Sequence, residues 1–325
     1  MPEDAMANVP EPRIRPISGG SLREADLPGV TGIAVPVRAA SPASPFADGV
    51  RRLRKSATAV LGVVIVVALV VCALFADVLA PQSPTAADQT QTFQTPSWDH
   101  PLGTDQLGRD MLSRAIHGTR ISLLVGVSSV LLALFVGVPF GMVAGFYGGR
   151  LDTGIMRVMD LILAFPIYLL AIILMVIFTP TAGLIGTMKV TGAIAIVRIP
   201  IYARLVRGSV LSIKEKEFIE ACRAIGQRDP WILLRHVLPN CLAPIIVTTT
   251  LGIATSIIVE ATLSFLGLGT QPPTPSWGWD LKANVSFIQA NPWLSLFPGL
   301  AIFVTVLGFN LFGDGLRDAL DPRLK

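Results

Sequence analysis

Apolar residues in this 325-residue chain fall into long uncharged runs, not into the short alternating patterns of a water-soluble fold. Residues 57–76 form a run of 20 without a charge, and residues 121–149 a run of 29. Twenty helical residues rising about 1.5 Å each match the roughly 30 Å hydrocarbon layer of a bilayer. The pattern predicts six membrane-spanning helices over 57–80, 119–147, 158–180, 183–203, 239–265 and 293–313. The fourth is interrupted by Lys189 and Arg198. It counts as a span if those long side chains snorkel to opposite headgroup layers. Pro139 and Pro166 mark expected kinks.

Residues 1–50 hold eight prolines and no apolar periodicity, which predicts a disordered tail. The first apolar run starts too late and runs too long for a signal peptide. Three parts follow: the 1–50 tail, a first span with its outer loop over 51–118, and a main transmembrane domain over 119–325.

Composition agrees with the spans. Charged residues make up 15% of the chain, against roughly 25% in ordinary soluble domains. Mean hydropathy is +0.63. The formal charge of +4 is a topology signal. With the amino terminus inside, inner segments carry 21 Lys and Arg and outer segments five, as the positive-inside rule requires for six spans with both termini cytoplasmic.

Three scattered cysteines and three histidines lack metal-ligand spacing, so no metal site is expected. No P-loop sequence occurs, and no nucleophile–base set appears within the spans. No catalytic residue is assigned.

Several segments carry specific expectations. Gly137, Gly141, Gly145 and Gly149 recur every fourth residue and give one helix a face for close backbone approach, either for packing or as a sliding surface. Asp160 and Glu260 lie toward the ends of spans three and five, where carboxylates can stay hydrated or pair, which favours structural or gate roles over ion coupling. In the 81–118 loop, Thr104 or Asp105 is placed to cap a helix whose Leu107, Met111, Leu112, Ala115 and Ile116 share an apolar face. The Gly-, Pro- and Trp-rich stretch 265–279 is either a lid or an interfacial anchor.

The segment between spans four and five is the most informative. Residues 214–226 read as a short helix ending at Gly226, a favoured residue just past a helix end. Asp229 then caps a second helix with Pro230 in its first position. Two short helices joined by a glycine turn would form a compact knob suited to passing force from a soluble partner into the bundle.

Glu220-Ala221-Cys222 followed by Gly226 and then Val237-Leu238-Pro239 resembles the EAA loop of permease subunits in bacterial ATP-binding-cassette importers. HPLGTDQLGRD, YARLVRGSVLSIKEKEFIEACRAIG, RHVLPN, SFLGLGTQPPTPSWG, PWLSLFPGLAIF and GDGLRDALDPRLK resemble the C-type permease of dipeptide and oligopeptide importers. The likeness covers about residues 50–325. Cys222 departs from the usual small Ala, and Arg198 stands where relatives are usually apolar or aromatic.

The resemblance implies an all-α multi-pass subunit of the bacterial inner membrane with an EAA coupling helix between spans four and five. Its implied partners are a second related permease, two cytoplasmic ATPases that bind the ATP and Mg, and an extracytoplasmic substrate-binding protein. No cofactor is implied in this chain. Glu220 and Arg223 would make polar contacts with an ATPase, Ala221 and Cys222 would pack closely, and Gly226 would set the turn. Asp160, Arg198 and Glu260 are the candidate gate or pathway residues. The same machine could carry nickel, glutathione or another small solute in place of peptides. A self-sufficient secondary transporter would need an internal repeat and mid-membrane coupling charges, and neither is evident.

Overall fold

The computed structural model describes residues 53, 54 and 56–320, all helix and connecting loop. The 1–50 tail lies outside the described residues. Among the described residues, five helices are long and apolar enough to cross a membrane, or six if one bent pair counts as a single span. The two ends of the bundle are called the cap end, which carries the 81–110 loop, and the knob end, which carries residues 215–232.

Helix α1 (Ala57–Leu74) starts at Ser56, whose hydroxyl accepts from the Ala59 amide at 3.3 Å. After Phe75 comes the single turn α2 (Ala76–Leu79). Helix α3 (Met111–Tyr147) has 37 residues and a length of about 55 Å, so it projects well past a hydrocarbon layer. It therefore starts eight residues before the expected span, and the anticipated boundary at 118/119 falls inside one continuous helix. Its cap is Asp110, not Thr104 or Asp105. Asp110 Oδ2 accepts from the Ser113 amide at 2.7 Å, and Leu107 lies in the turn before the helix.

The expected third span is broken. Helices α4 (Gly149–Leu163) and α5 (Ile167–Phe178) meet at 88°. Pro166 caps α5 and has no amide to donate, and the residue before a proline disfavours helical angles. The 12 residues of α5 extend about 18 Å, too short to cross alone.

Helix α6 (Gly183–Lys214) runs past its expected end by eleven residues. It makes the most extensive helix–helix contact in the bundle, with α3. Three of the four aligned glycines create that seam. A Cβ on Gly137 would stand 2.7 Å from the Ile199 carbonyl, on Gly141 2.4 Å from the Ala203 carbonyl, and on Gly145 2.8 Å from Val210 Cβ. Gly149 does not belong to the stripe. It follows the break at Gly148, has a φ of +58°, and has nothing within 4 Å of where a Cβ would be.

Helix α7 (Glu217–Ala224) forms the knob. The expected second knob helix is not separate. The turn α8 (Asp229–Ile232) and a π-helical stretch, Leu233–Val237, run directly into α9 (Leu238–Phe265). Pro239 cannot donate to the carbonyl four residues back, and a wider π turn is one way a helix absorbs that gap. Helix α10 (Trp277–Asn284) lies in the cap, and α11 (Trp293–Leu320) returns to the knob end beside α1 and α9.

Buried polar contacts hold the cap together. Arg114 Nε donates to Asp280 Oδ1 at 2.8 Å, and Arg114 Nη1 donates to the Pro84 carbonyl at 3.0 Å. Burial pushes the Asp280 carboxyl up from its ordinary range, and the Arg114 guanidinium pulls it back. Asp105 accepts from the Arg109 amide at 2.9 Å and side chain at 2.7 Å, and His100 Nδ1 lies 3.0 Å from Asp110. Trp277 Nε1 donates to the Ala115 carbonyl at 2.9 Å, which ties α10 to α3. Trp277 is buried, which answers the lid-or-anchor question for its ring: it sits inside protein.

Two predictions follow from this geometry. Gly141→Ala overfills the seam against backbone and should destabilise by about 1–3 kcal/mol. Gly154→Ala, in the open on α4, should be neutral or slightly stabilising, and thermal unfolding in detergent separates the two. Arg114→Ala strands a buried carboxylate and should cost about 3–5 kcal/mol, whereas the double variant Arg114→Met/Asp280→Leu should recover most of that loss in the same assay.

Candidate functional site

The knob is an amphipathic helix fixed to the bundle by one face. Ile219 is fully buried in a cluster with Met142, Val206, Val210, Ile232 and Val237. Cys222, one turn along, packs half-buried against the same cluster, so its side chain faces the bundle. Arg223 lies over the Phe146 ring at 5.1 Å, a cation–π contact with the end of α3. Glu220, Ala221 and Arg223 are exposed, and Ile225 is 74% exposed.

Gly226 ends the helix with a φ of +77°. Its amide donates to the Arg223 carbonyl at 2.9 Å, and the Gln227 amide donates to the Cys222 carbonyl at 3.0 Å. Those two bonds define a Schellman termination, which requires the left-handed residue that glycine supplies. Glu220, Ala221, Cys222, Arg223 and Gly226 thus share one short element whose outer face is exposed among the described residues.

Arg198 is where the structure departs most from expectation. It is the sixteenth of the 32 residues of α6 and only 8% exposed. Its guanidinium does not snorkel to a headgroup layer. It turns toward α9, where Nη2 donates to Thr255 Oγ1. Space for it exists because residue 252 is glycine: a Cβ there would lie 2.5 Å from Tyr202 Oη and 3.3 Å from Arg198 Nη1. Tyr202 is fully buried, and its hydroxyl sits beside the Arg198 guanidinium and Thr249 without a well-aligned hydrogen bond among the described residues. Among the described residues, no carboxylate lies within ion-pair distance of Arg198. A charge near the middle of a span costs roughly 2.5–3.5 kcal/mol on insertion scales. Taking Arg198 out of the inner segments leaves 20 Lys and Arg there against five outside, so the charge asymmetry stands. Lys189 does reach toward the cap end, donating to the Thr179 carbonyl at 3.0 Å.

The two acidic candidates separate. Asp160 pairs with Arg204 at 2.5 Å, both about half exposed, near the knob end. Glu260 is 0% exposed and has no cationic partner among the described residues, so it is buried and not solvent-facing as its position suggested. Its Oε1 accepts from Ser264 Oγ at 2.7 Å and from Ser276 Oγ at 3.0 Å. Ser276 precedes α10, so Glu260 fastens the cap to α9. Asp160, Arg198 and Glu260 therefore occupy three different levels of the bundle and form no common site. Among the described residues, no group of three His, Cys, Asp or Glu side chains has metal-binding geometry.

Sequence reasoning missed Ile219, Tyr202, Gly252 and Thr255. Ile219 shares a helix face with Cys222, three residues on. Thr248, Thr255 and Thr262 recur every seventh residue on α9, a polar line that was available in the sequence.

The chain matches two family descriptions. Residues 137–325 match the binding-protein-dependent transport system inner membrane component, and residues 44–96 match the N-terminal transmembrane domain of oligopeptide transport permease C. A dipeptide transport system permease protein of Alkalihalophilus pseudofirmus is 45% identical over 87% of this chain and 91% of that protein. A glutathione transport system permease protein of Pectobacterium atrosepticum is 44% identical over 89% and 95%. A di/tripeptide transport system permease protein of Pseudomonas aeruginosa is 43% identical over 81% and 88%. In fold, the chain resembles a chain of the inward-facing MetNI methionine ABC transporter, with a TM-score of 0.53 at 20% identity, covering 65% of this chain and 98% of that one. The apolar helices, the all-α bundle and these relatives place the chain in the family of multi-pass inner-membrane components of binding-protein-dependent transport systems.

Proposed function

We propose that this chain is one permease subunit of an ATP-driven importer of dipeptides and oligopeptides. It works with a second related permease, two cytoplasmic ATPases that bind ATP and Mg, and an extracytoplasmic binding protein. The chain itself hydrolyses nothing and holds no cofactor. Relatives named for dipeptide and di/tripeptide transport support the substrate class. Glutathione, the cargo in the name of an equally similar relative, is itself a small peptide and is the second reading.

The observation that carries the mechanism is the knob: an exposed short helix whose inner face is built into the same apolar cluster as α3, α6 and α9. A push on α7 is delivered to three long helices at once, because a packed interior transmits displacement instead of absorbing it. Glu220 and Arg223 supply polar contacts to an ATPase, while Ala221 and Ile225 supply close apolar ones. Cys222 is half-buried against the bundle, so it sets the knob's seat more than its outer face. In this reading the knob end is cytoplasmic, as is each terminus, consistent with the basic residues concentrated there.

Purification of the tagged chain from its own host in mild detergent should recover a second permease and two P-loop ATPases. A monodisperse chain alone, from membranes that contain those partners, contradicts the proposal. Gly226→Val forces a β-branched residue into left-handed backbone at a cost of about 1–2 kcal/mol, with no steric clash at the Cβ. The complex should still assemble and hydrolyse ATP while peptide uptake falls. Undiminished uptake in that variant would count against the coupling role.

A further inference from the structure

Between α5, α6 and α9 lies a cavity of about 230 Å³ at mid-bundle. Its walls are mostly aliphatic, from Ile194, Val197 and Val259, and its polar groups are Arg198, Tyr168 and Thr255. The volume is below the range of about 300–1,000 Å³ usual for whole small-molecule sites, so it fits part of a ligand. Its chemistry is lopsided. A guanidinium carries five donors and always a positive charge, and among the described residues it faces only neutral hydroxyls here, Thr255 as its acceptor and Tyr202 beside it, with no carboxylate. Gly252 keeps open the space that both groups occupy.

A buried cation with spare donors and no counter-ion calls for an anion, and the planar fork of an arginine matches a carboxylate through two parallel hydrogen bonds. We infer that Arg198, set in the cavity between α5, α6 and α9, is a transient subsite for the terminal carboxylate of a peptide as it crosses the membrane. The aliphatic walls accept the side chain of that last residue, and the cavity's size limits it to one small residue at a time. Thr255 anchors one guanidinium nitrogen and leaves the remaining donors for the ligand. A free amino terminus would be repelled by the same charge, so the site orients the peptide as well as holding it.

The inference rests on the peptide-importer reading, and one experiment separates the two. The full complex with its binding protein is reconstituted in liposomes, and uptake of alanylalanine and of its C-terminal amide is measured for wild type, Arg198→Gln and Arg198→Lys. Each variant is compared with wild type on the same substrate, so any preference of the binding protein cancels. Arg198→Gln should slow uptake of the acid by about tenfold or more and of the amide by less than about twofold, with Arg198→Lys between. Equal losses on both substrates, or no loss on either, overturn the subsite. Equal losses with a dissociated complex would mean that the charge pairs with a carboxylate of the second permease. Where the binding protein refuses the amide, the lysine variant decides. Partial recovery over glutamine, with the complex intact in both, supports the carboxylate, and a rate no better than glutamine overturns it. A wild-type complex that imports neither peptide contradicts the importer reading itself.

Discussion

The backbone contact between α3 and α6 governs the rest of the architecture. Two helices that touch through glycine come closer than side chains allow, and at Gly137 and Gly141 the contacts are carbonyl oxygens of α6. That closeness fixes the register of Ile199, Tyr202 and Ala203 against α3. Arg198 lies one turn before Tyr202 on the same face of α6, and both side chains reach the space that Gly252 of α9 leaves open. The same seam continues through Gly145 to Val210, which belongs to the cluster that seats the knob. One interface therefore sets both the placement of a buried charge at mid-bundle and the attachment of the coupling helix.

The two ends of the bundle are stabilised by different physics. The cap is polar and buried, tied by Arg114 to Asp280 and by Glu260 to Ser276 across long stretches of sequence. Directional bonds of this kind specify one arrangement and resist sliding. The knob end is joined by a close-packed aliphatic cluster around Ile219 and Val237, which passes a displacement of α7 on to the long helices, with the Arg207–Asp152 ion pair beside it. A cap held by directional bonds and a close-packed apolar junction at the knob suit a device that receives force at one end and must keep its opposite mouth in shape.

Much of this was legible in the sequence because it depends on local rules. Apolar runs located five long helices, and glycine with its flanking residues located the end of the knob helix at Gly226. The failures have physical causes. Span three bends because Pro166 interrupts the hydrogen-bond ladder, and run length alone does not report direction. Asp110, not Asp105, caps α3, since Asp105 is committed to Arg109. Gly149 continued the four-residue repeat in sequence, but the helix ends at Gly148, so the repeat ceases to be a face. Arg198 and Glu260 were misjudged for a common reason. Whether a charge inside a span snorkels, hydrates or stays buried depends on space left by residues far away in the chain, here Gly252 and Ser276.

A carboxylate subsite at Arg198, as inferred above, requires that its face of the bundle line a water-accessible path and not a lipid surface. Water access to Thr255 tests it most directly. In a cysteine-free background of the assembled complex, Thr255→Cys and Val64→Cys are exposed to a charged, membrane-impermeant thiol reagent. Val64 lies on the exposed apolar side of α1 and serves as the comparison. Thr255→Cys should react, at a rate that changes when ATP is bound, while Val64→Cys should stay protected. Equal protection of both positions in every nucleotide state would contradict it.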